Sequence, residues 1–416
     1  MRWFGRGWWS RWLIFWSVVG PGIITGSVDN DAGGITTYSV AGAHYGYDLL
    51  WTLVPAFLAL VVIQEMNLRM GIVTRKGLAD LIRENFGVRV AFLVLVCLFA
   101  ADIGNTVAEF AGVAGSTEIF GLSKYVSVPV TALAVWLLAV KGNYRVAERV
   151  FLLCSAFLLL YVPSALLARP DWGAVVRGAL HPGLRPDPEY LGLVLGVVGT
   201  TIAPWMQFYM QSAVIEKGLT ERDYPYARWD VVLGGIATVV VASFIMMACA
   251  ATLYPAGVHI EEARDAALAL RPLAGRMAAG LFGLGLFVAS AFSATILPLA
   301  TAFYLCEAFG FEAGIDKTWG EAPVFYGLFT AIIAVAAAII LIPGAPLIAL
   351  TLWTQILNGV LLPVVLISMM RVVSNRDLMG GYRNSSLSNL VGWATVVALI
   401  ALTVLALVGP ALGQGR

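Results

Sequence analysis

The chain is a succession of apolar runs, and most are about as long as a helix must be to cross roughly 30 Å of hydrocarbon. That repeated length constrains the fold more than any motif does. The runs lie near 13–43, 49–73, 89–121, 125–141, 147–168, 189–217, 229–254, 267–310, 322–342, 346–373 and 388–409. They are too long to be strands of a barrel, which alternate in polarity over about ten residues. Only 12% of the 416 residues are charged, about half the share of a soluble protein. The expected fold is an all-α polytopic membrane protein of eleven spans held in a lipid bilayer. The third and eighth runs are long enough to need tilt or an extension beyond the bilayer. No soluble domain is inserted, so any chemistry belongs among the helices.

Charge sets the orientation. Placing the N-terminus inside puts 18 of the 26 Lys and Arg residues on the cytoplasmic side, as the positive-inside rule requires. With an odd number of spans the C-terminus is then outside. The opening "MRWFGRGWWSRW" is basic and tryptophan-rich and is expected to be a retained interfacial anchor rather than a cleaved leader. A net charge of +1 gives no reason to expect a nucleic-acid partner. Cys97, Cys154, Cys249 and Cys306 fall in four different apolar runs, the pattern of small buried hydrophobes rather than of a disulfide framework or a metal cluster.

Two runs are interrupted. "GSVDNDAGGITTYS" (26–39) puts two carboxylates, an asparagine and three glycines inside the first, and "GTTIAPW" (199–205) breaks the sixth at Pro204. Proline lacks a donor and disfavours helix in the residue before it, here Ala203. Five runs separate the breaks, and broken helices in matching positions of two five-helix halves point to an inverted-repeat transporter with its site at the midplane. A kink alone does not explain Asp29 and Asp31, each costly in lipid. The division expected is a cytoplasmic anchor and first repeat (1–168), a second repeat (189–373) and an eleventh span (388–409).

Unwinding a helix at membrane depth frees carbonyls, and a cavity that holds a cation satisfies them. A carboxylate added to that cluster makes a hard-cation site. Asp31 is the favoured ligand because it directly precedes the flexible Ala-Gly-Gly; Asp29 and Asn30 are assigned to the pathway, Asp29 with a helix-capping role as its alternative. Around the second break, Thr200 and Ala203 offer carbonyls. One turn after Ala203, Gln207 offers an amide oxygen. In the third run Asp102, Asn105 and Glu109 are spaced i, i+3, i+7 and share a face; in the tenth, Gln355 and Asn358 form a similar stripe. Each is expected to line a route, with interhelical hydrogen bonding as the structural alternative.

Absences narrow the function. His44, His181 and His259 fall in expected external loops, which leaves no intramembrane histidine for a metal ligand or proton relay. No nucleophile elbow, zinc-protease motif or P-loop occurs, so an enzyme is not expected and no cofactor is implied.

The stretch "GPGIITGSVDNDAGGITTYSVAGA" (20–43) resembles the first helix of the Nramp divalent-metal transporters, whose pattern is Gly-Pro-Gly, then Asp-Pro-Gly-Asn, then Ala-Gly-Ala. Asp31, Ala32, Gly33 and Gly34 occupy the four central positions. The resemblance continues through "AEFAG" in the third run, the interrupted sixth and "TQILNGVLLP" in the tenth. It implies a LeuT-type fold: two inverted five-helix repeats plus an eleventh helix, the first and sixth helices broken.

Departures from that family's pattern sharpen the expectation. The ligand asparagine is replaced by Gly34. Aligned on Pro204, Ala203 and Trp205 replace a methionine and a histidine; shifted by one residue, Pro204 and Met206 do. Thr106 replaces one of two acids in the family's third-helix proton route, and Glu109 keeps the other. Losing a thioether removes a preference for soft metals, and a wider, ligand-poor cavity suits an ion that keeps its water, as magnesium does. These changes resemble those of the Nramp-related magnesium transporters. The implied function is a secondary transporter of hydrated Mg²⁺, and of Mn²⁺, without strict proton coupling, in a prokaryotic inner membrane. The implied metal site is Asp31, Gly34, Thr200, Ala203 and Gln207. A proton-coupled Mn²⁺/Fe²⁺ importer and a Na⁺-coupled amino-acid transporter are the alternatives; oligomeric state is not implied.

Overall fold

The computed structural model describes residues 18–142, 144–183, 185, 188–260, 263–344 and 347–413. The tryptophan-rich N-terminal segment therefore lies outside the described residues. Among those described, every regular element is helical, and the protein is an integral membrane protein with the LeuT-type fold. Ten helical stretches are long and apolar enough to cross a membrane. The first span makes the eleventh crossing from two short helices, α1 (Pro21–Val28) and α2 (Ala32–Tyr45).

The other spans follow the apolar runs closely. They are α3 (Leu53–Thr74), α5 (Val88–Ile119), α6 (Lys124–Lys141), α7 and α8 (Tyr144–Leu158 and Tyr161–Leu167), α10 and α11 (Pro188–Thr201 and Pro204–Glu216), α12 (Tyr224–Thr252), α13 (Ala263–Phe309), α14 (Pro323–Leu341), α15 (Leu347–Ser374) and α17 (Ser386–Gly413). Three short helices in connections were not expected: α4 (Leu78–Phe86), α9 (Trp172–Leu180) and α16 (Arg376–Met379). The eighth run also needs correction. Its backbone turns at Gly275 (φ 92°), a conformation that glycine adopts without a Cβ penalty, so the crossing helix is Gly275–Phe309 and the residues before it form a separate helical segment.

The broken first span is held by close backbone approach. A Cβ on Gly22 would sit 2.6 Å from the Val231 nitrogen, and one on Gly26 3.0 Å from the Gly234 carbonyl carbon. Small residues are what allow helices to approach this closely in lipid, where the hydrophobic effect does not drive them together. Asp230 on α12 then caps α1 from outside, accepting from Gly22 N (2.7 Å) and Ile23 N (3.2 Å). A carboxylate at a helix N-terminus meets both the orphan donors and the positive end of the dipole. Lys217 Nζ donates to the Val19 carbonyl (2.6 Å) and pairs with Glu148 (2.5 Å), which ties the same end to α7. These contacts fix α1 against α12 and orient the break that follows it.

Candidate functional site

Helix α1 stops at Val28, and past it Asp31 offers a side-chain alternative to the helical ladder. Asp31 takes extended backbone (φ −73°, ψ −179°) and caps α2, its Oδ1 accepting from Gly34 N at 2.6 Å. Glu109, from the middle of the third span, reaches the same place: its Oε2 accepts from Ala32 N at 3.1 Å. Two carboxylates thus converge on the N-terminus of α2, where the dipole favours them.

The second break meets the first through Gly34. A Cβ there would lie 2.6 Å from the Asp29 carbonyl oxygen, 3.3 Å from Thr200 Oγ1 and 3.4 Å from Asp31 Oδ1. Position 34 is therefore where both breaks face each other, and only a hydrogen fits without displacing the Asp29 carbonyl. The sixth span ends its first half at Thr201 and restarts at Pro204, with Ala203 extended (φ −72°, ψ 147°). Proline is suited to a helix's first position because its missing donor is unpaired there anyway. Tyr38 OH and Thr201 Oγ1, 3.0 Å apart, add a further link between the two spans.

Gln207 is placed less simply than the sequence implies. Its amide nitrogen donates to the Ala203 carbonyl (3.0 Å), and its oxygen accepts from Asn67 on α3 (2.5 Å). The two oxygens expected to face an ion are engaged within the protein in this conformation. Gln211, one turn on, donates to Asn67 Oδ1 (3.2 Å). Trp205 is fully buried in the apolar core.

The third-span stripe divides. Asp102 accepts from Thr301 (3.1 Å), Tyr304 (3.1 Å) and Asn105 (3.4 Å), and Asn358 donates to Asn105 Oδ1 (3.1 Å). Thr106 donates back to the Asp102 carbonyl (2.7 Å). This group joins the third, eighth and tenth spans, whereas Glu109 alone reaches the break. The side chain of Gln355 lies outside the described residues. Asn30 donates weakly to the Thr238 carbonyl (3.4 Å), and the side chain of Asp29, buried to 1% exposure, caps no helix: neither oxygen has a hydrogen-bond partner among the described residues.

Asn67, Tyr38, Thr238 and Asp230 were not singled out from sequence. Asn67 stands in "QEMNLR", between Glu65 and Arg69 near the end of the second run. His44 also needs correction: it occupies the last turn of α2, with Nδ1 3.2 Å from Glu189 and its ring 4.7 Å from that of His259. Among the described residues no three His, Cys, Asp or Glu side chains close on a single point. Whatever the breaks hold must rely on isolated carboxylates, carbonyls and amides.

A family described as "Natural resistance-associated macrophage protein-like" (Nramp) matches residues 22–409. Among solved structures, the manganese transporter of Eremococcus coleocola in complex with an aromatic bis-isothiourea substituted compound is 22% identical, with a TM-score of 0.80 over 96% of this chain and 88% of that one. A point mutant of the same transporter is 20% identical, with a TM-score of 0.82 over 99% and 90%. Mhp1, a nucleobase-cation-symport-1 family transporter in a closed conformation, is 15% identical, with a TM-score of 0.58 over 94% and 92%.

Proposed function

The chain belongs to the Nramp family, and on that premise we propose that it carries divalent metal ions across the membrane by alternating access, with hydrated Mg²⁺ as the main substrate and Mn²⁺ as a second. It is a transporter and not an enzyme. The observation that carries the reading is the meeting of the two breaks at Gly34, where Asp31 Oδ1, the Asp29 carbonyl and Thr200 Oγ1 all lie within 3.4 Å of the place a side chain would fill. A carboxylate, a carbonyl and a hydroxyl form a hard, oxygen-only donor set, the kind magnesium selects. The pairing of Gln207 with Ala203 and Asn67 leaves few protein oxygens to replace water, which favours an ion that dehydrates reluctantly.

In this reading Asp31 anchors the ion, and Gly34, Thr200, Ala203 and Gln207 meet it or its waters. The repeats 1–168 and 189–373 supply one broken helix each, which rock against the other spans, and 388–409 adds the eleventh. The N-terminus faces the cytoplasm of a prokaryotic cell and the membrane potential drives entry, at about 2.3 kcal/mol per elementary charge per 100 mV. Proteoliposome flux tests this. Saturable Mg²⁺ uptake without a lumenal pH change is expected, and Asp31→Ala that keeps full Mg²⁺ uptake would sink the site.

A second reading, a proton-coupled Mn²⁺ importer, draws on the manganese transporter among the structural matches and on the hydrogen bond from Glu109 to the break. Mn²⁺ uptake that acidifies the lumen and ignores Mg²⁺ selects it.

A further inference from the structure

Asp29 is the one carboxylate in the break for which the protein provides nothing. It is 1% exposed, and both its oxygens are buried without a hydrogen-bond partner among the described residues. A buried unpaired polar group is costly, and a buried charge more so. Its position adds to the cost. Asp29 is the C-cap of α1, so its charge faces the negative end of that helix's dipole, where acidic side chains are disfavoured and cations favoured. Asp31, two residues on, sits at the N-terminus of α2 and accepts from Gly34 N. The last carbonyls of α1 do find donors, Gly26 from Thr238 and Val28 from Ser293 (3.4 Å), whereas the Asp29 carboxylate does not. Two unpartnered carboxylate oxygens at the negative end of a helix are what a cation, or the hydrogens of its bound waters, would complete.

We propose that Asp29 is a second carboxylate of the ion site, acting on the hydrated dication through its coordinated water. This rests on the reading of the break as a Mg²⁺ site. It also explains why Asp29, Asp31 and Glu109 share one neighbourhood without closing on a point. A metal–water bond of about 2.1 Å and a charge-assisted hydrogen bond of about 2.7 Å, bent at the water oxygen, place a water-bridged carboxylate oxygen roughly 4 Å from the metal. Carboxylates serving the outer face of a hydration shell stand further apart than direct ligands. Two such charges neutralise the dication within the membrane.

The test is calorimetric titration of the purified full-length protein with MgCl₂ and MnCl₂, alongside melting curves with and without metal, for Asp29→Asn, Asp29→Ser and Asp31→Asn. Both Asp29 variants should bind Mg²⁺ about tenfold more weakly, the loss of one charge-assisted hydrogen bond, with a smaller loss for Mn²⁺. The metal-free melting temperature should stay the same or rise, because no protein contact is lost. Wild-type Mg²⁺ affinity in both Asp29 variants, with Asp31→Asn weakened, overturns the role of Asp29 and leaves the ion site standing. Wild-type affinity in Asp31→Asn overturns the ion site itself. A fall in the metal-free melting temperature of both Asp29 variants makes Asp29 structural and overturns the inference as well.

Discussion

Two of the polar groups buried in this membrane protein are built in opposite ways. Around Asp102 in the third span, Thr301, Tyr304 and Asn105 all donate to one carboxylate, and Asn358 extends the group to a fourth side chain's partner. Around the break in the first span, Asp31 and Glu109 each accept a single backbone hydrogen bond, and Asp29 accepts none. The Asp102 carboxylate is satisfied without a ligand, and its group joins three spans. The second is incomplete, and it lies where two broken helices face each other. Donor count therefore separates the two carboxylates: Asp102 has three donors, two of them from another span, and Asp29 has none among the described residues.

Removing Asp31 should have the largest effect, and it breaks the comparison if it does not. Truncating one partner of a buried charge interaction costs about 2–5 kcal/mol, or ~30- to 5,000-fold in ion affinity. Asp31→Ala should lose Mg²⁺ flux in proteoliposomes by that order, with a stability loss of only about 1 kcal/mol for the missing helix cap. Asp102→Leu should do the reverse. It deletes two hydrogen bonds that join spans, each worth about 0.6 kcal/mol in a membrane protein, and leaves the buried Tyr304 hydroxyl without its acceptor at a further cost of about 1 kcal/mol, while Thr301 keeps the Leu297 carbonyl. A loss of roughly 2 kcal/mol in unfolding free energy is expected, with Mg²⁺ flux per folded molecule preserved. Flux that disappears in well-folded Asp102→Leu protein would put Asp102 on the ion's route.

Gly34→Asn sharpens the comparison at the meeting point of the breaks. Its Cβ would lie 2.6 Å from the Asp29 carbonyl, closer than real side chains approach, so overpacking of about 1–3 kcal/mol is expected. The added amide also supplies a protein ligand where water is expected. Mg²⁺ uptake should fall more than Mn²⁺ uptake, because manganese exchanges its waters for protein ligands more readily. An unchanged ratio of the two, measured by paired flux assays, would remove Gly34 from selectivity.

The spans were legible because membrane thickness imposes a length, and that length is visible in composition alone. The breaks were legible for a related reason: "DNDAGG" and Ala203–Pro204 are expensive at membrane depth unless they do something. The division of the third-span stripe was not. A spacing of i, i+3, i+7 shows that Asp102 and Glu109 share a helix face, but at 1.5 Å per residue they stand about 10 Å apart along the axis. At that separation they meet different neighbours, which only the packing reveals. The cap that Asp230 gives α1 joins residues more than 200 positions apart, and no local pattern records such a partner. The bend at Gly275 did leave a trace in "LRPLAGRM", where an arginine, a proline and a glycine interrupt the apolar run.

The smallest expected effect belongs to Asn67, and it tests whether Gln207 sides with the staple or with the site. Asn67 donates to Gln207 Oε1 and accepts from Gln211, so Asn67→Leu deletes two interhelical hydrogen bonds and should cost about 1 kcal/mol of stability. It also frees the Gln207 oxygen. If that oxygen serves the ion or its waters, it no longer has to leave Asn67 to do so, and Mg²⁺ affinity should rise by roughly two- to fivefold, within the ~1 kcal/mol of a net hydrogen bond. If Gln207 only joins α3 to α11, affinity should stay at the wild-type value while the melting temperature falls. Calorimetry and melting curves on the same preparation separate the two. The direction of the affinity change decides whether the donor count that distinguishes Asp29 from Asp102 extends to neutral amides beside the break.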